Sequence, residues 1–304
     1  MPENKEYFPR QKKGKNVKKA TTLDEQIELY KNRGCELDMP MEEIKKFLSN
    51  IDYYRLGFYA FPFEETYPSK EKRSRQYKNG TKFSEIVALY EFDFELRMIL
   101  RKYISRIETS FKAKLIYFVS NQYKNTPNWF VDNKVMAEKY IRDFDEKIYN
   151  PIKANHETIR RYGDKYAPAW KTLNYATFGN ITATYESLQE KTIREKIACE
   201  YNIRNEKIML NYIIVMKNLR NMLSHDGVVF DYNLEEALRD GTVLKTNNKN
   251  KCKLHSAILV MKYLLESISE KLPQRLECEI KSVLDMLKND ETLKLAIENS
   301  VGCS

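Results

Sequence analysis

MLNYIIVMKNLRNMLSHDG, residues 209–227, is the stretch that decides how this chain folds. Its apolar residues Met209, Tyr212, Ile213, Met216, Leu219 and Leu223 recur at steps of three and four, the period of a helix with one buried face. A second line, Asn211, Asn218, Asn221 and His225, also advances at helical spacing and ends in an imidazole. Arg220 stands beside that line, and Gly227 follows as a C-terminal stop. The spacing predicts one amphipathic helix whose last turns gather a guanidinium, an amide and a histidine.

Upstream, Ser84 predicts the start of a long helix reaching about Phe118. Leu89, Phe92, Leu96, Leu100, Tyr103, Ile107, Phe111, Leu115 and Phe118 mark its buried stripe. On another face Arg97, Arg101, Ser105, Glu108 and Lys112 recur at three and four. Such a line fits a solvated face laced with i,i+4 pairs, and equally the second wall of a phosphate site. Thr22 and Glu25 are placed as a capping box for a helix ending near Asn32, before Gly34, and Pro40 opens another over 40–49.

Residues 51–63, IDYYRLGFYAFPF, crowd together Tyr53, Tyr54, Phe58, Tyr59, Phe61 and Phe63. A cluster so dense reads first as core, although aromatics also stack on bases. The connection 64–82 carries Lys70, Lys72, Arg73, Arg75, Lys78 and Lys82 with Tyr67 and Tyr77 among them, a mixture that suits looped or single-stranded RNA and also an ordinary surface loop. Shorter amphipathic helices are expected over 127–165, a helix from Lys171, and another in 177–188 capped by Asn180. After a polar loop at 241–253, helices near 255–270, 274–288 and 290–299 close the chain. The fold class is all-α, arranged as a basic arm over 1–20, a helical domain over 21–240, and C-terminal helices over 241–304 packed on it.

Composition agrees with helix. Among 304 residues there are only nine Gly and nine Pro. The formal net charge of +9 suggests an acidic partner, nucleic acid before an anionic membrane surface. Cys35, Cys199, Cys252, Cys278 and Cys303 are odd in number and scattered, so neither a disulfide framework nor a zinc site is expected. No apolar leader or membrane-length run is present, and a soluble, cytoplasmic protein is expected.

The chain has no Walker-type glycine loop, no G-x-G-x-x-G, no H-E-x-x-H and no kinase signature. ATP use, hydride transfer and zinc hydrolysis are therefore not expected, and no cofactor or metal is implied. The histidines are His156, His225 and His255, and His225 alone has an organised setting. An imidazole can take the proton of an RNA 2′-hydroxyl or protonate a leaving 5′-oxygen, Arg220 can hold the phosphate oxygens, and Asn221 can orient either group. The same residues would also serve as a plain helix cap. Five helical steps separate Arg220 from His225 by roughly 140° around the axis and about 7–8 Å along it. The arginine must reach round, the helix must loosen, or two copies must pool their groups across an isologous interface.

RNMLSH at 220–225 resembles the R-x4-6-H signature of HEPN-domain ribonucleases, including the Asn after Arg. The blocks at 22–34, 51–63, 103–115, 167–173 and 177–182 resemble, in order, the Abi-like family of AbiD/AbiF abortive-infection proteins. The resemblance runs over about residues 20–235. It implies a HEPN-type helical bundle elaborated with additional N- and C-terminal helices, and a toxin-like, antiviral endoribonuclease acting without metal. It further implies a structured non-coding RNA that restrains or guides the protein, within a homodimer or ribonucleoprotein. Arg220, Asn221 and His225 match the motif position by position, and Glu108 falls where such proteins keep a polar residue facing it. Arg97, Arg101, Lys112, Lys217, Arg73, Arg75 and Lys78 are the expected RNA contacts. A non-catalytic RNA-binding scaffold, or an accessory subunit of the same fold, is the alternative.

Overall fold

The structure is a computed structural model that describes residues 19–225, 227–241, 243, 251–287 and 297. The fold is all-α, and among the described residues extended pairing is limited to isolated bridges such as Glu64 with Tyr77. The chain divides into two compact units, Met1–Val87 and Ala88–Ser304. The division falls inside one long helix, where the sequence pattern shows no break. The expected basic arm lies, apart from its last two residues, outside the described residues, as does the 290–299 helix apart from residue 297.

The first unit holds α1 (Leu23–Asn32), α2 (Met41–Asn50) and α3 (Tyr53–Ala60). The Thr22 hydroxyl accepts from the Glu25 N–H at 3.3 Å and the Thr22 N–H donates to the Glu25 carboxylate at 2.7 Å, a capping box that satisfies two orphan donors. Gly34, at φ +88°, turns the chain out of α1 through a conformation that a side chain would strain. At the head of α3, Asp52 accepts from the N–H groups of Tyr54 and Arg55 at 2.8 and 3.0 Å.

The aromatic segment divides by helical phase. Tyr59, Phe61 and Phe63 are buried as expected of core, whereas Tyr54 is 77% exposed and Phe58 44%. The connection that follows is tied down. Lys78 N–H donates to the Phe63 carbonyl and Tyr77 N–H to that of Arg33, both at 2.8 Å. Arg73 is ion-paired to the buried Glu64, and the Lys78 ammonium donates to the Pro62 carbonyl at 3.0 Å.

The long helix α4 (Phe83–Gln122) begins one residue before Ser84. Ser84 therefore is not its cap. Asp38 takes that part, accepting from the Ser84 N–H at 3.0 Å and from its hydroxyl.

In the second unit α4 is followed by α5 (Glu138–Phe144), a π turn over Asp145–Tyr149, α6 (Asn150–Asn155), α7 (Glu157–Arg160), α8 (Ala169–Thr172), α9 (Phe178–Glu186), α10 (Lys191–Cys199), α11 (Glu206–Ser224), α12 (Leu254–Glu266) and α13 (Lys271–Leu284). The start of α9 corrects one expectation: Thr177 is the cap, accepting from the Asn180 N–H at 3.2 Å, and Asn180 lies inside the helix. Its hydroxyl sits three residues before that N–H, as a helix N-terminus requires. α11 packs on α9, α10 and α12, and α12 on α13. Phe111 of α4 meets Tyr185 of α9 edge-on at 5.3 Å, and Trp129, Phe130 and Phe144 are fully buried.

Candidate active site

α11 opens at Asn205, whose side chain accepts from the Lys207 N–H at 2.9 Å. Met209, Tyr212, Ile213, Met216, Leu219 and Leu223 are all at most 1% exposed. Burying side chains of this size stabilises by roughly 1.5–3 kcal/mol each, which fixes the rotation of the helix. That rotation then decides what each polar neighbour can do. Asn211 faces inward, 2% exposed, accepting from the Arg239 N–H at 2.8 Å and donating to the Ala237 carbonyl at 3.2 Å. It clamps a later segment and is unavailable to a ligand. Asn218 is half-buried, and Asn221 and His225 at the far end are exposed.

The helix terminus is fixed from two sides. The His225 N–H donates to the carbonyls of Asn221 and Met222 at 3.1 and 3.2 Å, and the Gly227 N–H reaches back to the Met222 carbonyl at 3.0 Å. Gly227 stops the helix through space, since a Cβ there would lie 2.5 Å from Met222 Sδ and 3.1 Å from its carbonyl oxygen. Beyond it, the N–H groups of Val229 and Phe230 donate to one oxygen of Asp93 at 2.7 and 2.8 Å. Arg97 donates to the other at 3.2 Å, and both members of that pair are buried. The expectation that Arg97 lines a solvated, phosphate-facing wall is thereby corrected. At 5% exposure its guanidinium neutralises Asp93 inside the protein, out of reach of a macromolecule.

Arg220 is held more loosely. Its Nε lies 3.8 Å from Glu108 Oε2 on α4, and its Nη1 donates to Asn221 Oδ1 at 3.3 Å. Strong guanidinium–carboxylate bonds are nearer 2.7–2.9 Å, so this guanidinium is oriented without being saturated. Lys112, one turn beyond Glu108, donates to the carbonyls of Asn174 and Ala176 at 3.1 and 2.8 Å. Burial, and then the neighbouring Arg220, hold its ammonium below the usual lysine range, while Glu108 pulls it back up. Two of its three donors are thus used within the protein. The His225 side chain makes no hydrogen bond or ion pair among the described residues.

The structure therefore brings Arg220, Asn221, Glu108 and Lys112 together and, among the described residues, leaves the His225 imidazole without a partner at the same helix end. Arg101 is exposed on α4, and Lys217 is half-buried one turn before Arg220. Arg73, Arg75 and Lys78 belong to the first unit. Among the described residues no group of three or more His, Cys, Asp or Glu side chains is placed to hold a metal ion. A cleft of about 470 Å³ beside α5 and α9 contains none of the motif residues. The residue that the sequence reading passed over is Asp93, whose one available signal is its place four residues before Arg97.

Fold and site together define an all-α protein presenting an Arg–Asn–His helix terminus backed by a carboxylate from a second helix. Residues 46–231 match the family described as Abi-like protein, more than half of the chain, and the chain belongs to that family. The matched span includes the aromatic segment of α3, all of α4, and α11 with its terminus. Membership points to abortive infection as the biological setting. No curated protein and no solved structure is matched by the chain. Among the described residues no helix is long and apolar enough to cross a membrane.

Proposed function

We propose that the protein is an endoribonuclease of the HEPN type, acting in abortive infection and restrained or guided by a structured RNA. The observation that carries this reading is the contrast within the last two turns of α11. A half-exposed guanidinium is oriented by Glu108 and Asn221 at distances that leave it open to a phosphate, and an exposed imidazole has no partner among the described residues.

In the reaction, His225 takes the proton of a ribose 2′-hydroxyl. The 2′-oxygen then bonds to the adjacent phosphorus as the bond to the 5′-oxygen breaks, leaving a 2′,3′-cyclic phosphate on one fragment. The departing 5′-oxygen takes a proton from a second imidazole or from solvent. Arg220 stabilises the charge that grows on the non-bridging oxygens, and Glu108 and Asn221 hold Arg220 in place for it. The nucleophile belongs to the substrate, so the chemistry asks for no metal.

Ideal helical spacing would set Arg220 and His225 roughly 140° apart, and a second copy facing this terminus would supply the complementary acid and base. Exposed Arg101 on α4 and half-buried Lys217, one turn before Arg220, suit the flanking phosphates. Induced expression tests the reading. The wild-type chain should arrest growth and fragment RNA, leaving cyclic phosphate ends, while His225→Ala and Arg220→Ala should do neither. Arrest and fragmentation that persist unchanged in both variants would end it.

A further inference from the structure

The first unit contains a cleft of about 170 Å³ that the nuclease reading does not use. Its floor is formed by Tyr30 and Tyr77, which are 1% and 6% exposed, with rings nearly parallel at 6.1 Å. Neither phenol has a hydrogen-bond partner among the described residues, and burial pushes both well above the usual tyrosine range. Neither hydroxyl is sealed from solvent, so both are able to donate to a group bound in the cleft.

The walls are cationic. Arg33 donates to the Tyr53 hydroxyl at 2.6 Å, which fixes its fork toward the cleft. Arg73 is neutralised by Glu64. Arg75 is exposed, makes no ion pair among the described residues, and is held at φ +58°, a conformation that non-glycine residues seldom adopt. Among the described residues, therefore, the Arg33 and Arg75 guanidiniums line the cleft without a carboxylate partner. At the rim stand Tyr54 and Phe58, exposed aromatics on one face of α3 with Gly57 between them, where a Cβ would meet nothing within 4 Å.

We propose that this cleft binds the 5′-phosphate of a nucleotide, with Arg33, Arg75 and the two floor hydroxyls on the phosphate and the base stacked on Tyr54 at the rim. The volume suits a phosphate with part of its sugar, so the base lies outside the cleft, where it meets the aromatic pair. Planar guanidiniums and hydroxyl donors recognise phosphate oxygens, and an exposed tyrosine accepts any base through its π-face. The free mononucleotide and the 5′-phosphorylated end of an RNA share this chemistry. The inference rests on the first unit alone and stands whether or not α11 cleaves RNA.

Calorimetry on the full chain carrying His225→Ala, which removes turnover from the measurement, provides the test. The ligands are 5′-AMP, 5′-UMP, adenosine, inorganic phosphate, and one short oligoribonucleotide with a 5′-phosphate or a 5′-hydroxyl. The phosphorylated nucleotides should bind at least about tenfold tighter than adenosine. Arg75→Gly, which tolerates the backbone conformation, should weaken every phosphorylated ligand by a similar factor. Tyr54→Ala should weaken the nucleotides about tenfold and leave inorganic phosphate unchanged, while Tyr54→Phe restores them. Tight mononucleotide binding identifies a soluble nucleotide as the source, and a preference confined to the 5′-phosphorylated oligonucleotide identifies an RNA end. Mononucleotides that bind no better than adenosine together with an oligonucleotide indifferent to its 5′-phosphate, or undiminished binding of the phosphorylated ligands in Arg75→Gly, overturn the proposal.

Discussion

Two pairs of polar residues on two long helices have opposite fates. On α4, Asp93 and Arg97 stand four apart, are sealed from solvent and pair with each other, and both oxygens of the acid are taken, one of them by residues 136 and 137 positions further along the chain. On α11, Arg220 and His225 stand five apart at a helix end, one loosely oriented and the other without a partner among the described residues. The first pair shows what polar groups look like when they serve the fold: short bonds, no exposure, every oxygen answered. The second is left open to solvent, as the proposed reaction requires. The buried pair also supports the exposed one, because Asp93 pins the segment that leaves the α11 terminus and so holds that terminus in register.

The largest separation should appear in rate. His225→Ala is expected to lower RNA cleavage by about 10²–10⁴-fold, the range ordinarily supplied by a positioned acid or base. Its stability should stay within about 0.5 kcal/mol of wild type, because the side chain is exposed. Single-turnover cleavage of a labelled RNA beside a thermal melt measures both. A melting temperature that falls along with the rate would assign His225 to the fold instead.

Asp93→Ala should act first on stability, with any loss of rate following from the loosened terminus. It removes the acceptor of two backbone donors and leaves Arg97 buried and unpaired, which costs about 3–5 kcal/mol. For a unit of this size the melting temperature should drop by roughly 10 °C. The double variant Asp93→Ala with Arg97→Met, which takes away the stranded charge as well, should recover part of that loss. If it recovers nothing, the buried pair is not the reason the single variant is weak.

Gly227→Ala lies between the two regions and should touch both properties. The added methyl can be relieved in part by rotating the Met222 side chain, but its 3.1 Å approach to the Met222 carbonyl needs backbone movement. Such overpacking costs about 1–3 kcal/mol. Denaturant titration should show that loss together with reduced cleavage, since the displaced backbone carries the imidazole. Reduced stability with full activity would mean that the terminus tolerates displacement.

The same contrast explains what the sequence disclosed and what it hid. The apolar stripe of α11, the Thr22–Glu25 box and the long run of α4 are written in local spacing, and local spacing survives into the fold. Arg97 was misplaced because a charged residue on a helical repeat looks alike whether it is solvated or paired inside. The difference is made by Val229 and Phe230, which arrive from far along the chain. Asn211 and Asn221 belong to one amide line, yet only packing against the segment near Arg239 tells the inward clamp from the outward one. Phe58 and Tyr59 are adjacent aromatics, and the phase of α3 sends the more apolar one to solvent and the other to the core. The Arg–Asn–His terminus was legible as a constellation. Its carboxylate support from α4 became concrete only with two helices side by side.

Glu108 provides the finest test of the comparison, because it lies between the two kinds of group. Its ion pair with Arg220 is long and partly exposed, so Glu108→Gln should change stability by only about 0.2–1 kcal/mol. That small loss should shrink further in high salt as the exposed charge is screened. Without the carboxylate, Arg220 meets an incoming phosphate with less competition and less guidance. KM for RNA should therefore fall slightly while kcat also falls, the pattern of a residue that positions a catalytic group without touching the reacting atoms. Removing the same charge takes away the one influence that raises the Lys112 ammonium, whose affinity for its proton should drop further below the usual lysine value. A Glu108→Gln protein with unchanged kcat and KM would show that Arg220 is positioned by Asn221 and the helix alone.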